Sequence, residues 1–304
     1  MPVMTDSALI SKRARRILSV SIYPVVMGAA VAASLFGIER GWSPVLVLAV
    51  VSPAIWVILI LGERLLPHRP EWNVARGDLR TDLCHFVVNF KSPQLYLVLL
   101  SALLLPLSGV LSKHWAIHLW PSGWPLLGQT ALALVVAEFG QYWAHRLAHE
   151  RDFLWRFHAT HHSAERLYWV NAARDHPLGL FILYGGSVVP LLLMVCNEES
   201  LAMYFLFSVI NGLFKHCNIE LRLGPLNWIF SMAELHRWHH STDLEEAKHN
   251  YGANLLLWDI LFGTRYAPPE PTPSTLGILE MPDFPKTYLR QLAVPFRWRS
   301  MRRS

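Results

Sequence analysis

This sequence predicts an all-α fold: a polytopic membrane helical bundle of about four to six spans or hairpin arms, with a cytoplasmic helical cap holding a histidine-rich two-metal site. Three observations carry that prediction. Hydrophobic residues make up 53% of the 304, while charged residues make up 16% against the about 25% usual in soluble domains. The apolar residues fall in runs close to the ~20 that cross a bilayer as a helix. Three tight groups of histidine lie outside those runs, in a chain that has fifteen in all.

The first run is residues 17–37 and the second 44–62, joined by the short IERGWS. A cleaved leader fits poorly, because the first run is long and a second span follows at once. Polar residues 63–82 intervene. Runs at 93–111 and 125–143 come next, with Pro125 suited to a first helical turn. A last pair, 177–196 and 201–214, is split only by NEES, and its second member is short enough for a tilted hairpin arm. Beyond residue 215 no spanning run remains. Segments 223–235 and 253–263 read as interfacial or cap helices, 268–275 as a proline-rich linker, and 286–304 as a solvated or membrane-surface basic tail. The whole of 1–304 reads as a single integral-membrane domain, with 268–304 as linker and tail.

Basic residues set the orientation. Lys12, Arg13, Arg15 and Arg16 precede the first span, and Arg64, Arg69, Arg76 and Arg80 follow the second. The opposite loops carry only Arg40 and Lys113. By the positive-inside rule the N-terminus, 63–82, 144–176 and the C-terminal third face the cytoplasm. The net charge of +5 fits such loops beside anionic lipid, with no nucleic-acid partner implied. Cys84, Cys196 and Cys217 show no paired spacing, so neither a disulfide framework nor an iron–sulfur cluster is expected.

Every histidine group falls on that cytoplasmic side. HRLAH supplies His145 and His149, HATHH supplies His158, His161 and His162, and HRWHH supplies His236, His239 and His240. Positions four apart share a helix face, so in each H-x-x-H-H box the first imidazole sides with the fourth and fifth. Neutral imidazole ligates iron, zinc, copper and nickel. Eight of them exceed the needs of one ion and suit two. His68, His114 and His118 read as ordinary surface or hydrogen-bonded residues. Glu138 lies seven residues before His145, on nearly the same face and about 10 Å deeper. An ionisable group inside a span is costly and usually functional, which makes Glu138 a candidate to orient a histidine or shape a substrate channel.

The pattern resembles the fatty acid hydroxylase/sterol desaturase superfamily, the integral-membrane histidine-box di-iron enzymes. QYWAHRLAHE, LWRFHATHHSAERL and ELHRWHHS match its three boxes, and NYGANLLLWDILFGTR its closing sequence, so the likeness spans about 80–266. It implies two iron ions, O2 as co-substrate, a membrane lipid substrate and two electrons from a separate protein of ferredoxin or cytochrome type. It also makes His176 and His216 further ligand candidates and leaves His249 less certain, since Lys248 stands where an acidic residue is common. The expected reaction is C–H hydroxylation of a sterol, fatty acyl chain, carotenoid, ether lipid or ornithine lipid. Desaturation by the same site is the alternative. A compact chain without a fused carrier points to a bacterial inner membrane more than to endoplasmic reticulum. A metal transporter would place polar residues mid-span. A zinc hydrolase would need three ligands and a nearby carboxylate base, and no H-E-x-x-H occurs.

Overall fold

The structure is a computed structural model that describes residues 10–115, 119–270 and 272–301. His118, the side chain of His114 and tail residues 302–304 lie outside the described residues. Eleven helices occur among those described: α1 Lys12–Glu39, α2 Pro44–Leu65, α3 Leu79–Trp115, α4 Leu126–Glu150, α5 Asp152–His162, α6 Pro177–Leu193, α7 Glu198–His216, α8 Ala233–His239, α9 Leu244–Ala247, α10 Leu257–Leu261 and α11 Tyr288–Met301. Only isolated β-bridges accompany them, so the all-α expectation holds.

Three stretches are long and apolar enough to cross a membrane: Lys12–Glu39, Pro44–Leu65 and Leu79–Leu104. Their outer faces carry bare aliphatic side chains, among them Val25, Val45, Val57 and Leu103. Water would penalise such a surface and lipid does not. The third span begins well before residue 93, because the polar face of its first turns is buried against the cap rather than solvated. Ser11 and Ser43 cap the first two helices by accepting from Ala14 N and Leu46 N. The chain is an integral membrane protein on these spans.

α4, α6 and α7 pack inside this frame. Tyr23 of α1 donates to Asn211 Oδ1 of α7 at 2.8 Å within the main core. α4 and α6 approach backbone to backbone at Gly140 and Gly186. A Cβ at Gly186 would stand 2.7 Å from the Gly140 oxygen and 2.8 Å from Ala144 Cβ, and one at Gly140 would strike the Gly186 carbonyl. Small residues at such a crossing are how helices gain contact where no hydrophobic force separates lipid from protein.

The remaining helices form a cap at the ends where α4 and α7 stop. Two buried carboxylates on the frame fasten it. Glu63, in the last turn of α2, accepts from Trp169 N at 2.8 Å and Asn218 N at 2.9 Å. Asp82, in the first turn of α3, accepts from Tyr168 OH at 2.6 Å and pairs with Arg174 at 2.5 Å. The cap departs from the sequence reading in two places. Segments 223–235 and 253–263 yield only a 3-10 turn and the short α8 and α10, because side-chain anchors rather than helical periodicity shape them. The basic tail is a docked helix: Val294 and Trp298 of α11 pack with Ala159 of α5, and Gln291 bonds His85 at 2.7 Å. Its Leu289 and Phe296 remain exposed.

The Gly140–Gly186 crossing yields a stability test. Gly186→Ala should lower the thermal midpoint in detergent, with an overpacking cost of about 1–3 kcal/mol. Gly28→Ala, which meets nothing within 4 Å, should leave it unchanged or raise it slightly. Equal midpoints for the two variants would rule out the close crossing.

Candidate metal centre

Four elements deliver histidines to one buried place. α4 brings His145 and His149 in its last two turns, α5 brings His158, His161 and His162, the end of α7 brings His216, and α8 with its C-cap brings His236, His239 and His240. These nine fall into two groups. His145, His149, His158, His162 and His239 form one; His161, His216, His236 and His240 form the other; within each, one ligating atom per residue lies within 4.8 Å of all the others.

The grouping explains the doubled histidines of the boxes. In α5 the i, i+4 pair His158 and His162 joins the first group, while His161 points to the second. In α8 the assignment is reversed: His236 and His240 join the second group and His239 the first. One helical turn therefore feeds both groups, and neighbouring imidazoles diverge by the 100° that separates consecutive helical residues. The groups adjoin, with the rings of His162 and His240 stacked at 4.5 Å.

Proton accounting tests whether a cation fits. His145 Nδ1 donates to the Tyr251 carbonyl at 2.6 Å and His239 Nδ1 to the His249 carbonyl at 2.8 Å. A carbonyl only accepts, so each neutral ring has its proton on Nδ1 and a bare lone pair on Nε2. Those two Nε2 atoms nonetheless stand 3.0 Å apart. His216 has the same tautomer. Its Nδ1 donates to Asn171 Oδ1 at 3.2 Å, an oxygen that also accepts from Tyr168 N, and its Nε2 meets His236 Nε2 at 3.0 Å. Facing lone pairs repel unless a cation lies among them. Two nitrogens about 2.1 Å from one ion and at right angles to each other sit about 3.0 Å apart. His149 Nε2, buried and without a hydrogen-bond partner among the described residues, completes the case. The donor set fits metal in both groups.

Electrostatics favour the same state. Burial, as the largest cause, holds His158, His162, His236, His239 and His240 below the ordinary imidazole range, so these rings stay neutral and able to ligate. Asp175 stands 3.3 Å from His161 Nδ1 and 3.8 Å from His158 Nδ1. Burial alone would raise its carboxyl, but the two imidazoles hold it below the usual range. Trp155 covers the outer side, its ring 5.2 Å from His149 and 5.3 Å from His162.

A second layer fixes the first. Tyr251 N and Gly252 N donate to the two oxygens of Asp259 at 2.9 and 2.7 Å. Asn254 N donates to Glu138 Oε2 at 2.9 Å, and Ala253 N to Glu138 Oε1. Two carboxylates thus clamp four successive amides, and the clamped loop presents the Tyr251 carbonyl to His145. Asn250, at φ 56°, makes the turn that begins it, and asparagine tolerates that left-handed backbone. Gly252 is required because a Cβ there would strike the Leu255 carbonyl and stand 2.8 Å from Asp259 Oδ2.

Several sequence candidates land elsewhere. Both Glu138 oxygens accept from backbone amides, and among the described residues no hydrogen bond joins Glu138 to a histidine; its place is in the loop clamp. His176 caps α6: its Nδ1 accepts from Leu178 N at 3.1 Å, which puts the proton on the Nε2 that faces Leu292 O at 3.2 Å. With no free lone pair it belongs to neither group. His249 contributes its carbonyl, while its ring lies 4.9 Å from that of Tyr266. His216 does join the second group. Asp259 and Asn171 were not singled out in the sequence, since neither shows a spacing that reveals its partner.

The family profile described as fatty acid hydroxylase matches residues 130–264. The chain is 36% identical to an ornithine lipid hydroxylase, OlsE, of Rhizobium tropici over 294 residues, covering 94% of this chain and 86% of that protein. The chain belongs to the fatty acid hydroxylase family. It is a membrane oxidoreductase of that family, and the profile spans all nine grouped histidines. More distant members include the alkylglycerol monooxygenase of Homo sapiens, 32% identical over 48% of this chain and 31% of that protein. Sphinganine C4-monooxygenase 2 of Arabidopsis thaliana is 30% identical over 46% of this chain and 54% of that protein. The chain thus spans only part of the length of these two. No solved structure matches it significantly.

Asp259→Asn tests the loop clamp. Replacing one oxygen by an amide that cannot accept from backbone should free Tyr251 or Gly252 and loosen His145. Metal held by the first group should then be lost to a chelator about 10–100-fold more readily, with the second group's metal retained. Equal retention from both groups would remove Asp259 from that role.

Proposed function

We propose that this chain is an O2-dependent lipid hydroxylase with two irons, one held by His145, His149, His158, His162 and His239 and the other by His161, His216, His236 and His240. The observation that carries this reading is the division of nine imidazoles into two adjoining groups, with facing lone pairs where His145 meets His239. When bound, the irons supply the activation of O2 and the oxidising power to place one oxygen in an unactivated C–H bond, chemistry beyond side-chain acids and bases.

The residues of the chain do the rest. The carbonyls of Tyr251, His249 and Arg174 and the side chain of Asn171 keep the rings of His145, His239, His161 and His216 in one tautomer and one orientation. Asp175 balances charge beside His158 and His161. Trp155 and the surrounding helices keep water from the centre, which protects a reactive oxidant from side reactions. Glu138 and Asp259 are positioning residues that act through the loop. Among lipid classes, an amino-acid-linked lipid of the ornithine lipid kind is favoured, because OlsE is a relative that matches nearly the whole chain. The chain has no cysteine cluster or other carrier motif, so the electrons come from a separate protein, docking on the cytoplasmic face assigned by the basic loops.

Lipid mass spectrometry of bacteria expressing the chain, alone and with its His239→Ala variant, is the test. Some membrane lipid should gain one oxygen only with the intact protein. Loss of two hydrogens would mean desaturation instead. Purified protein should hold about two irons per chain, His216→Ala fewer and His176→Ala the full number. Iron loss at His176 with retention at His216 would overturn the ligand assignment.

A further inference from the structure

On the far side of α8 from the histidines lies a crevice of about 850 Å³ that the oxidation chemistry does not use. Its walls come from the first turn of α1, the last turn of α2, the segment after α7, α8 itself and the prolines that follow Tyr266. Five arginines line it, Arg15, Arg64, Arg222, Arg237 and Arg265, against three glutamates. Two of the glutamates are already engaged. Glu220 pairs with both Arg15 and Arg222 at 2.6 Å, and Glu234 accepts from Leu223 N at 3.0 Å.

The cations left over are only partly satisfied. Arg237 is 1% exposed, and among the described residues its guanidinium donates only to the carbonyls of Ile219 at 3.0 Å and Cys217 at 3.4 Å. Arg265 lies over the Trp228 ring at 3.8 Å and donates to the Asn227 carbonyl at 3.3 Å. The Nε atoms of both, with His68 Nε2 and Asn227 Oδ1, are buried without a hydrogen-bond partner among the described residues. A buried guanidinium without an anion is among the costliest arrangements a fold can keep. Guanidinium forks match the paired oxygens of a phosphate.

We propose that this crevice binds the phosphate of an anionic membrane lipid. Three observations select a lipid headgroup over an acidic protein surface. Arg15 and Arg64 sit at the ends of two spanning helices, at the level of the headgroups. Trp228 and Ile229, beside Arg265, are 59% and 52% exposed, as an interfacial anchor would be. The unsatisfied cations lie within a concavity, which a headgroup enters and carboxylates standing on a folded partner do not. Because Arg237 lies between His236 and His239, a lipid bound here braces the helix that supplies three of the nine imidazoles.

The test uses the full chain in a neutral detergent and follows its thermal midpoint. Short-chain phosphatidylglycerol should raise the midpoint by several degrees, and short-chain phosphatidylcholine and inorganic phosphate should not. Arg265→Gln should abolish the response, and about one lipid phosphorus per chain should copurify with the parent but not with this variant. Arg237→Met should do the same if it folds; Arg265, half-buried at the rim, keeps the test valid if it does not. An absent response, or one unchanged in Arg265→Gln, overturns the proposal. A full response to inorganic phosphate overturns the lipid source in favour of a free anion. An Arg265→Gln protein that keeps its lipid response but shows a raised KM for a reduced ferredoxin overturns it in favour of protein docking.

Discussion

Facing lone pairs govern this molecule. Nine imidazoles are packed into two adjoining groups, and the bare Nε2 atoms of His145 and His239 stand 3.0 Å apart, an arrangement that repels itself without a cation and tolerates little movement with one. Four of the rings, His145, His161, His216 and His239, are therefore held from behind. The supports are mostly backbone carbonyls, so the position of whole loops, not of single side chains, decides the geometry. That is why carboxylates with no direct hydrogen bond to a histidine matter: Glu138 and Asp259 fix the loop behind His145, Asp82 the segment behind His161, and Glu63 the stretches that flank both Asn171 and His216. A carboxylate accepting several amides is a stiff joint, because losing any one bond leaves a buried charge short of partners.

The membrane supplies the other half of the rigidity. Lipid does not squeeze helices together, so the bundle relies on close approach and a few buried polar bonds. Gly140 and Gly186 bring α4 against α6, and Tyr23 ties α1 to α7 through Asn211. α4 then carries its last two turns, with His145 and His149, beyond this tight crossing and into the cap. The histidines are thereby placed where the apolar frame ends, within reach of a chain rising from the bilayer.

Much of this was legible in the residues. The apolar runs announced the spans α1 and α2 and the helices α4, α6 and α7, because a long apolar run is a property of composition. The histidine boxes announced the centre, because i, i+4 spacing places imidazoles on one face. What the spacing did not reveal was which partner each imidazole would choose. His161 and His162 are adjacent and serve different groups, while His145 and His239 are far apart in sequence and meet. Glu138 was read as functional from its cost inside a span; its amide partners come from a loop more than a hundred residues away. The docked tail helix was hidden for the same reason, since its charged residues are all arginines while a narrow stripe of Gln291, Val294 and Trp298 does the packing.

The two faces of α8 show how one short helix can serve chemistry and anchoring together. It is seven residues long, too short to be stable by its own hydrogen bonds. His236 and His239 hold it from one side, through the groups they join. Arg237 holds it from the other, by donating to the carbonyls of Ile219 and Cys217 at the segment that leaves α7. His216, at the end of that same α7, belongs to the second group with His236 and His240. The loop from α7 to α8 is thus closed twice, once through imidazoles and once through a guanidinium. A displacement of either closure shifts the other by the same rigid turn. Whatever neutralises Arg237 therefore bears on the histidines, although it touches none of them.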